Sequence, residues 1–266
     1  MSYHKLIWSE DELRKYYDLI LPDLNPFEVF FVSLSARNKY LTEEERITYK
    51  LGRTEMFERR IIREKSWDRF LRTIKKYEVV KGAYTSVDGS AVLPDKCLLI
   101  YININPSNMI KALNEFNKTV SEYYMEVVVS KNDNKSIDKR FNKLDRNLMT
   151  AIQKSRGIKK WIDIDIDMSK SYLENFGKSD WKKINKNLQE IVRHNQTGEL
   201  KYHIIETKSG YHILIDKNTL SFNPNFICER LRSNFSNELE ECIINKNAMI
   251  PLAGTLQGGF EVKILI

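Results

Sequence analysis

Trp161-Ile162-Asp163-Ile164-Asp165-Ile166-Asp167 carries an acid at every second position with isoleucine between. That alternation is the period-2 signature of a half-buried strand: Asp163, Asp165 and Asp167 share one face beside Trp161, and the isoleucines fill the other. Carboxylates about 7 Å apart along one face repel each other. A divalent cation would relieve the repulsion, and hard cations such as Mg²⁺ take carboxylate oxygens. The competing reading is a sheet face whose acids are merely solvated. A second group, Thr207-Lys208-Ser209-Gly210-Tyr211-His212, combines a lysine, a small hydroxyl, a glycine and a histidine. Glycine beside serine lets backbone amides approach a phosphate, Lys208 adds charge, and His212 projects from the start of a strand. A strand histidine satisfied within the fold is the alternative there.

The elements around these groups read as follows. Ser9 caps a helix that ends before Leu21-Pro22, and Phe27 to Leu34 is an aromatic, β-branched strand running into Arg37-Asn38-Lys39-Tyr40. Thr42-Glu43-Glu44-Glu45 is a capping box. Residues 53 to 76 interleave Arg53, Arg59, Arg60, Arg63 and further cations with Met56, Phe57, Ile61, Ile62, Trp67 and Phe70. The spacing predicts a pair of amphipathic helices, whose basic faces are either solvated or track a nucleic-acid backbone. Cys97 to Ile104 is a strand, and Pro106-Ser107 opens a helix. Residues 130 to 147 read as a polar loop and surface helix, a seam between residues 1–150 and a catalytic half, 151–266. Beyond the acidic strand, Trp181 to Val192 is a helix. Lys201 to Glu206 and Tyr211 to Ile215 form a hairpin, Pro224 to Leu231 and Asn234 to Glu240 are helical, and Met249 to Lys263 is a glycine-rich bend closing in a strand. The class is α+β with antiparallel hairpins.

A net charge of +7 favours a polyanionic partner. The charged N-terminus and the lack of a long apolar run predict neither export nor a membrane span. Cys97, Cys228 and Cys242 lack CxxC spacing, which predicts reduced core thiols in a reducing, cytoplasmic compartment of a bacterial, archaeal or phage-infected cell.

An acidic strand, a helix, then a hairpin bearing Ser-Gly-x-His is the order found in archaeo-eukaryotic primases and their primase-polymerase relatives. Trp-Ile-Asp163-Ile-Asp165 resembles that family's apolar-Asp-x-Asp motif, and Lys208-Ser209-Gly210-Tyr211-His212 resembles its Ser/Gly-x-His motif. The resemblance covers residues 155 to 266 and touches the N-terminal half only through Phe27 to Tyr40. It implies an N-terminal α/β module packed on an RRM-like antiparallel-sheet catalytic module, with the active site between them. Asp163 and Asp165 would be catalytic and hold two Mg²⁺ or Mn²⁺ ions. Lys208, Ser209, Gly210, His212 and Thr255 would bind the nucleotide, and Arg37, Lys39, Arg59, Arg60 and Arg63 the nucleic acid. Asp167 matches no required family position. The family's third acid has no clean match here. Glu240, Glu241, Asp216 and Glu261 are candidates, with Glu241 closest to the expected place as a metal ligand. The family's zinc knuckle is not expected.

The function implied is a DNA primase or primase-polymerase that makes or extends short primers on single-stranded DNA from nucleoside triphosphates, alongside a separate helicase. A metal-dependent nuclease would use the same aspartates but leaves Ser209-Gly210-x-His212 without a role. A non-catalytic RRM-like nucleic-acid-binding module is disfavoured, because acids on its exposed sheet would repel phosphate.

Overall fold

The computed structural model describes residues 1–130, 142–178, 180–245 and 249–266. The chain is α+β, with two five-stranded antiparallel sheets and a small hairpin among the described residues. In the first sheet, β1 (Glu28–Arg37) lies between β2 (Thr54–Ile62) and β3 (Leu98–Asn103), and the two-residue β4 (Ser107–Asn108) pairs antiparallel with the start of β1. Alternation along β1 sends Phe30, Val32, Leu34 and Ala36 into a core shared with helices α1 (Glu10–Leu19) and α3 (Trp67–Lys75). Val29 and Phe31 pack oppositely, against α4 (Met109–Ser130) and α5 (Leu144–Lys154). Farther along that second face come Ser33, Ser35 and Arg37, so an apolar face under the helices turns polar where they end.

The second sheet centres on β5 (Trp161–Met168) and β7 (Gly210–Asp216). β6 (Tyr202–Glu206) flanks β7, and β8 (Leu239–Ile244) flanks β5. Ile162, Ile164 and Ile166 join Ile213 and Ile215 beneath two helices, α7 (Trp181–Asn195) and α8 (Pro224–Asn234). The short α6 (Lys170–Phe176) follows β5, as the equally short α2 (Glu43–Tyr49) follows the Arg37–Tyr40 segment. The acidic face of β5 therefore points away from its helices and towards the first sheet.

Polar clamps fix this approach. The Trp161 indole donates to the Ile20 carbonyl at 2.6 Å, and Asn105 accepts from the Lys160 and Trp161 amides and donates to the Trp161 carbonyl. The chain also returns: β9 (Met249–Pro251) adds to β3 in the first sheet, the hairpin of β10 (Leu256–Gln257) and β11 (Phe260–Glu261) follows, and β12 (Lys263–Ile264) adds to β6 in the second. Residues past 150 thus complete the first sheet, and Trp161, Leu214, Ile250 and Val262 share the first core.

Two expectations are corrected. Residues 54 to 62 form a strand rather than the first of two helices: β1 offers a long, fully buried edge, and the ladder running from Phe30↔Ile62 to Arg37↔Thr54 satisfies it. Residues 235 to 238 form turns, and from Leu239 the chain is strand β8, because pairing with β5 outweighs the helical spacing of a few residues. Of the polar stretch 130 to 147, Lys131 to Phe141 lie outside the described residues, and Leu144 begins α5.

Candidate active site

Register sets the geometry. β5 pairs Asp165 with His212 and Asp167 with Gly210 on one side, and Asp165 with Ile243 and Asp167 with Glu241 on the other. Directly paired residues in antiparallel strands share a face, so His212 and Glu241 flank the aspartate row. The three aspartates are not equivalent. Asp163 is buried, and both its carboxylate oxygens are engaged: Oδ1 faces Nδ1 of His212 at 3.0 Å, and Oδ2 accepts from the Asn245 amide at 2.8 Å. The Asn245 backbone amide also donates to the Asp163 carbonyl. Asp165 and Asp167 are only partly buried, and both line a cleft with Arg37, Lys39, Tyr101 and His212. Asp167 accepts from the Ser209 hydroxyl at 3.0 Å, while Asp165 stands 3.7 Å from His212.

The opposing wall comes from the first sheet and the hairpin. Arg37 at the end of β1 donates to the Tyr101 hydroxyl at 2.9 Å. Lys39 and Lys208 lie over the ring of Tyr40 at 5.2 and 5.1 Å, and Lys208 donates to the Gly258 carbonyl. This wall continues into a cavity of about 710 Å³ that also receives Arg46, Arg53 and Lys170, opposite Asp167, Glu240 and Glu241. One cleft therefore has an acidic wall and a basic wall.

Burial pushes the Asp165 carboxyl up to about 6; His212 pulls against this, and Asp163, Asp167 and Glu241 add to it. For His212, burial would lower the imidazole, but the charge and hydrogen bond of Asp163 overturn this and raise it to about 9. His212 is thus an imidazolium at neutral pH. Nδ1 faces Asp163, and among the described residues no hydrogen bond uses Nε2, although the ring lines the cleft. In metal-free protein, a folded-state value above the ordinary 6.5 stabilises the fold fully below pH 6.5, and that stability is lost as pH rises through about 9. Wild type should lose about 3 kcal/mol between pH 6.5 and 9.5 in urea titrations with a chelator present. The profile of Asp163→Asn should be flat over that window, and an equal slope in the variant would remove Asp163 as the cause.

Among the described residues, no three His, Cys, Asp or Glu groups converge as a complete metal cage. Mg²⁺ at phosphate-handling sites is typically held by one or two carboxylates plus substrate phosphates and water, and Asp165 and Asp167 fit that donor set. The raised Asp165 value marks a desolvated, acid-crowded carboxylate that a cation would neutralise. Asp163 is buried, with one hydrogen-bond partner on each oxygen, His212 and Asn245, and is less open to the cleft than Asp165 and Asp167.

The remaining sequence-predicted residues divide. Glu240 and Glu241 line the cleft, whereas Asp216 pairs with Trp161 at the far end of β5 and Glu261 lies in the β10–β11 hairpin. Thr255 is buried, its hydroxyl donated to the Leu252 carbonyl, which removes it from nucleotide contact. Gly210 has a structural reason to be glycine: a Cβ there would meet the Ile166 carbonyl oxygen at 1.8 Å, so the close approach of β5 and β7 requires it. Arg59 donates to the Arg146 carbonyl and the Thr150 hydroxyl, and Arg60 pairs with Glu58 beneath the Tyr77 ring; both hold the fold together. Arg63 is exposed and absent from the cleft lining. Sequence reasoning missed Asn245, Tyr101, Gln257, Arg46 and Lys170, which reach the site through tertiary contacts and carry no local signature. Gln257 accepts from the Lys208 amide at 2.7 Å and so fixes the hairpin tip.

No protein-family model matches this chain, and no curated protein or solved structure matches it.

Proposed function

We propose that the chain is a template-dependent nucleotidyltransferase, a DNA primase or primase-polymerase acting on single-stranded DNA. The observation that carries this reading is the cleft itself, where Asp165, Asp167 and Glu241 face Arg37, Lys39 and Lys208 with His212 between. Such a bipolar site suits a nucleoside triphosphate with its divalent cations: acids for the metal, cations for the phosphates. The resemblance of Asp163-Ile-Asp165 and Ser209-Gly-Tyr-His212 to the primase motifs supports the same reading. So does the antiparallel second sheet, with two helices on one face and the site on the other, the layout of an RRM-like catalytic module.

Asp165 and Asp167, with Glu241 beside them, would hold Mg²⁺ or Mn²⁺. When bound, the cations acidify the attacking 3′-hydroxyl and neutralise the charge that builds on the phosphates. Asp163 acts at one remove: with Asn245 it orients His212 and keeps it charged. The His212 Nε2–H is then a charge-assisted donor to a non-bridging phosphate oxygen. Arg37, Lys39 and Lys208 hold the β- and γ-phosphates. The bond formed joins the 3′-oxygen to the α-phosphorus, and the bond broken releases pyrophosphate along the basic wall.

The test is incorporation of labelled nucleotide on single-stranded DNA, primed and unprimed, with Mg²⁺ or Mn²⁺. Extension that a chelator abolishes and added metal restores is the expected result, and unprimed product would specify a primase. Shortening of the DNA without incorporation would replace the reading with a nuclease. Binding with neither activity would leave a nucleic-acid-binding module.

A further inference from the structure

Lys154 at the end of α5, and Arg156 and Lys159 between α5 and β5, are exposed and close together. They line a cavity of about 410 Å³ with Asn103, Ser107 and Gln153. A second cavity of about 740 Å³ shares Lys154, Ser155 and Arg156 and continues along the α4–α5 hairpin past Lys111, Asn114 and Thr119. The two form one groove, whose lining among the described residues holds four cations and one acid, Glu115. Neither Lys154 nor Lys159 forms an ion pair among the described residues. The Lys159 ammonium is lowered by partial burial and then by the nearby positive charges of Arg156 and Lys217, against a smaller opposing pull from Asp163.

The groove adjoins the carboxylate cleft. Asn103 lines the groove and pairs with Met249, which lines the cleft; the Gln153 amide donates to the Met249 sulfur at 3.1 Å. Among the described residues, no aromatic side chain lines either cavity. Base stacking is therefore not what this surface offers. Its cations and its Asn, Gln, Ser and Thr side chains are groups that contact phosphate and sugar.

We infer that this groove between the α4–α5 hairpin and β5 tracks the phosphate backbone of single-stranded DNA leading to the cleft. The inference rests on the nucleotidyltransferase reading for its direction but not for its chemistry. It also supplies the basic surface that Arg59 and Arg60, committed to internal contacts, do not. An elongated, open groove with cations spread along it suits a strand better than one compact triphosphate.

The experiment is fluorescence anisotropy with a labelled oligothymidylate across a salt series, on wild type and the double variant Lys154→Ala/Lys159→Ala. Losing two phosphate contacts should weaken binding about tenfold and flatten log K against log salt by about 1.4, at about 0.7 per contact for single strands. At saturating template the incorporation rate should be unchanged, with only the KM for template raised. Lys182→Ala/Lys183→Ala, on the exposed start of α7, removes equal charge elsewhere and should change neither quantity. Equal losses in both double variants, or no loss in the first, overturn the inference. Displacement of the oligonucleotide by equimolar nucleoside triphosphate would make the groove a nucleotide site and also overturn it. Wild type that binds DNA through Lys154 and Lys159 but incorporates nothing would sink the nucleotidyltransferase reading and leave the groove standing.

Discussion

Asp165→Asn is expected to abolish nucleotide incorporation, by about 10³-fold or more, while making the metal-free protein more stable. The two effects have one cause. Among the described residues Asp165 accepts no hydrogen bond; it stands 3.7 Å from His212, is desolvated, and is surrounded by Asp163, Asp167 and Glu241. Because its folded-state value of about 6 exceeds the ordinary 3.8, its contribution to stability is complete below pH 3.8 and is lost as pH rises through 6. At pH 7.5 the ionised carboxylate therefore destabilises the fold, by about 1–2 kcal/mol. The near-isosteric amide relieves that repulsion and should raise Tm by about 2–8 °C. Mg²⁺ should raise the Tm of wild type and leave the variant unchanged. Asp163→Asn should behave oppositely, losing both activity and stability, because it leaves buried His212 without its counter-charge. Differential scanning fluorimetry with and without Mg²⁺, alongside the incorporation assay, separates the cases. An Asp165→Asn enzyme that retains activity within tenfold of wild type would remove Asp165 from the metal site.

The acidic strand was legible because its own side chains carry the pattern. Ile162, Ile164 and Ile166 need a core, so the acids are forced onto the other face whatever that face meets. The Ser9 cap, the Thr42 capping box and the 206–211 hairpin were legible for the same reason: each signal lies within a few residues of the structure it sets. β2 was not. Its side chains are mostly exposed or half-buried, so its apolar residues follow no clean period of two, and only β1 makes it a strand. The division of labour among the aspartates was equally hidden. Asp163 and Asp165 look identical in sequence, and Asn245, some eighty residues later, together with His212 engages Asp163 and leaves Asp165 as the more open carboxylate.

Gly210→Ala should be the most damaging single-methyl change in the fold. The added Cβ would sit 1.8 Å from the Ile166 carbonyl oxygen, 2.9 Å from its carbon and 3.2 Å from the Asp167 Cα. All three are backbone atoms of β5, so no side-chain rotation relieves the clash. β5 and β7 must separate where Asp167 pairs with position 210, and the movement carries Asp165 and His212 with it. Overpacking that the core can absorb costs about 1–3 kcal/mol, and a backbone clash within a central ladder should exceed this. Urea unfolding should show a loss above about 3 kcal/mol or no cooperative transition, with incorporation lost in parallel. Gly198→Ala is the control: its φ of +84° disfavours a side chain, but nothing lies within 4 Å, so about 1 kcal/mol and full activity are expected. If Gly210→Ala were as mild as Gly198→Ala, the register placing His212 beside Asp165 would be wrong, and the site built on it with it. The glycine of the Ser-Gly-x-His segment thus lets two strands approach closely enough for histidine and aspartate to meet.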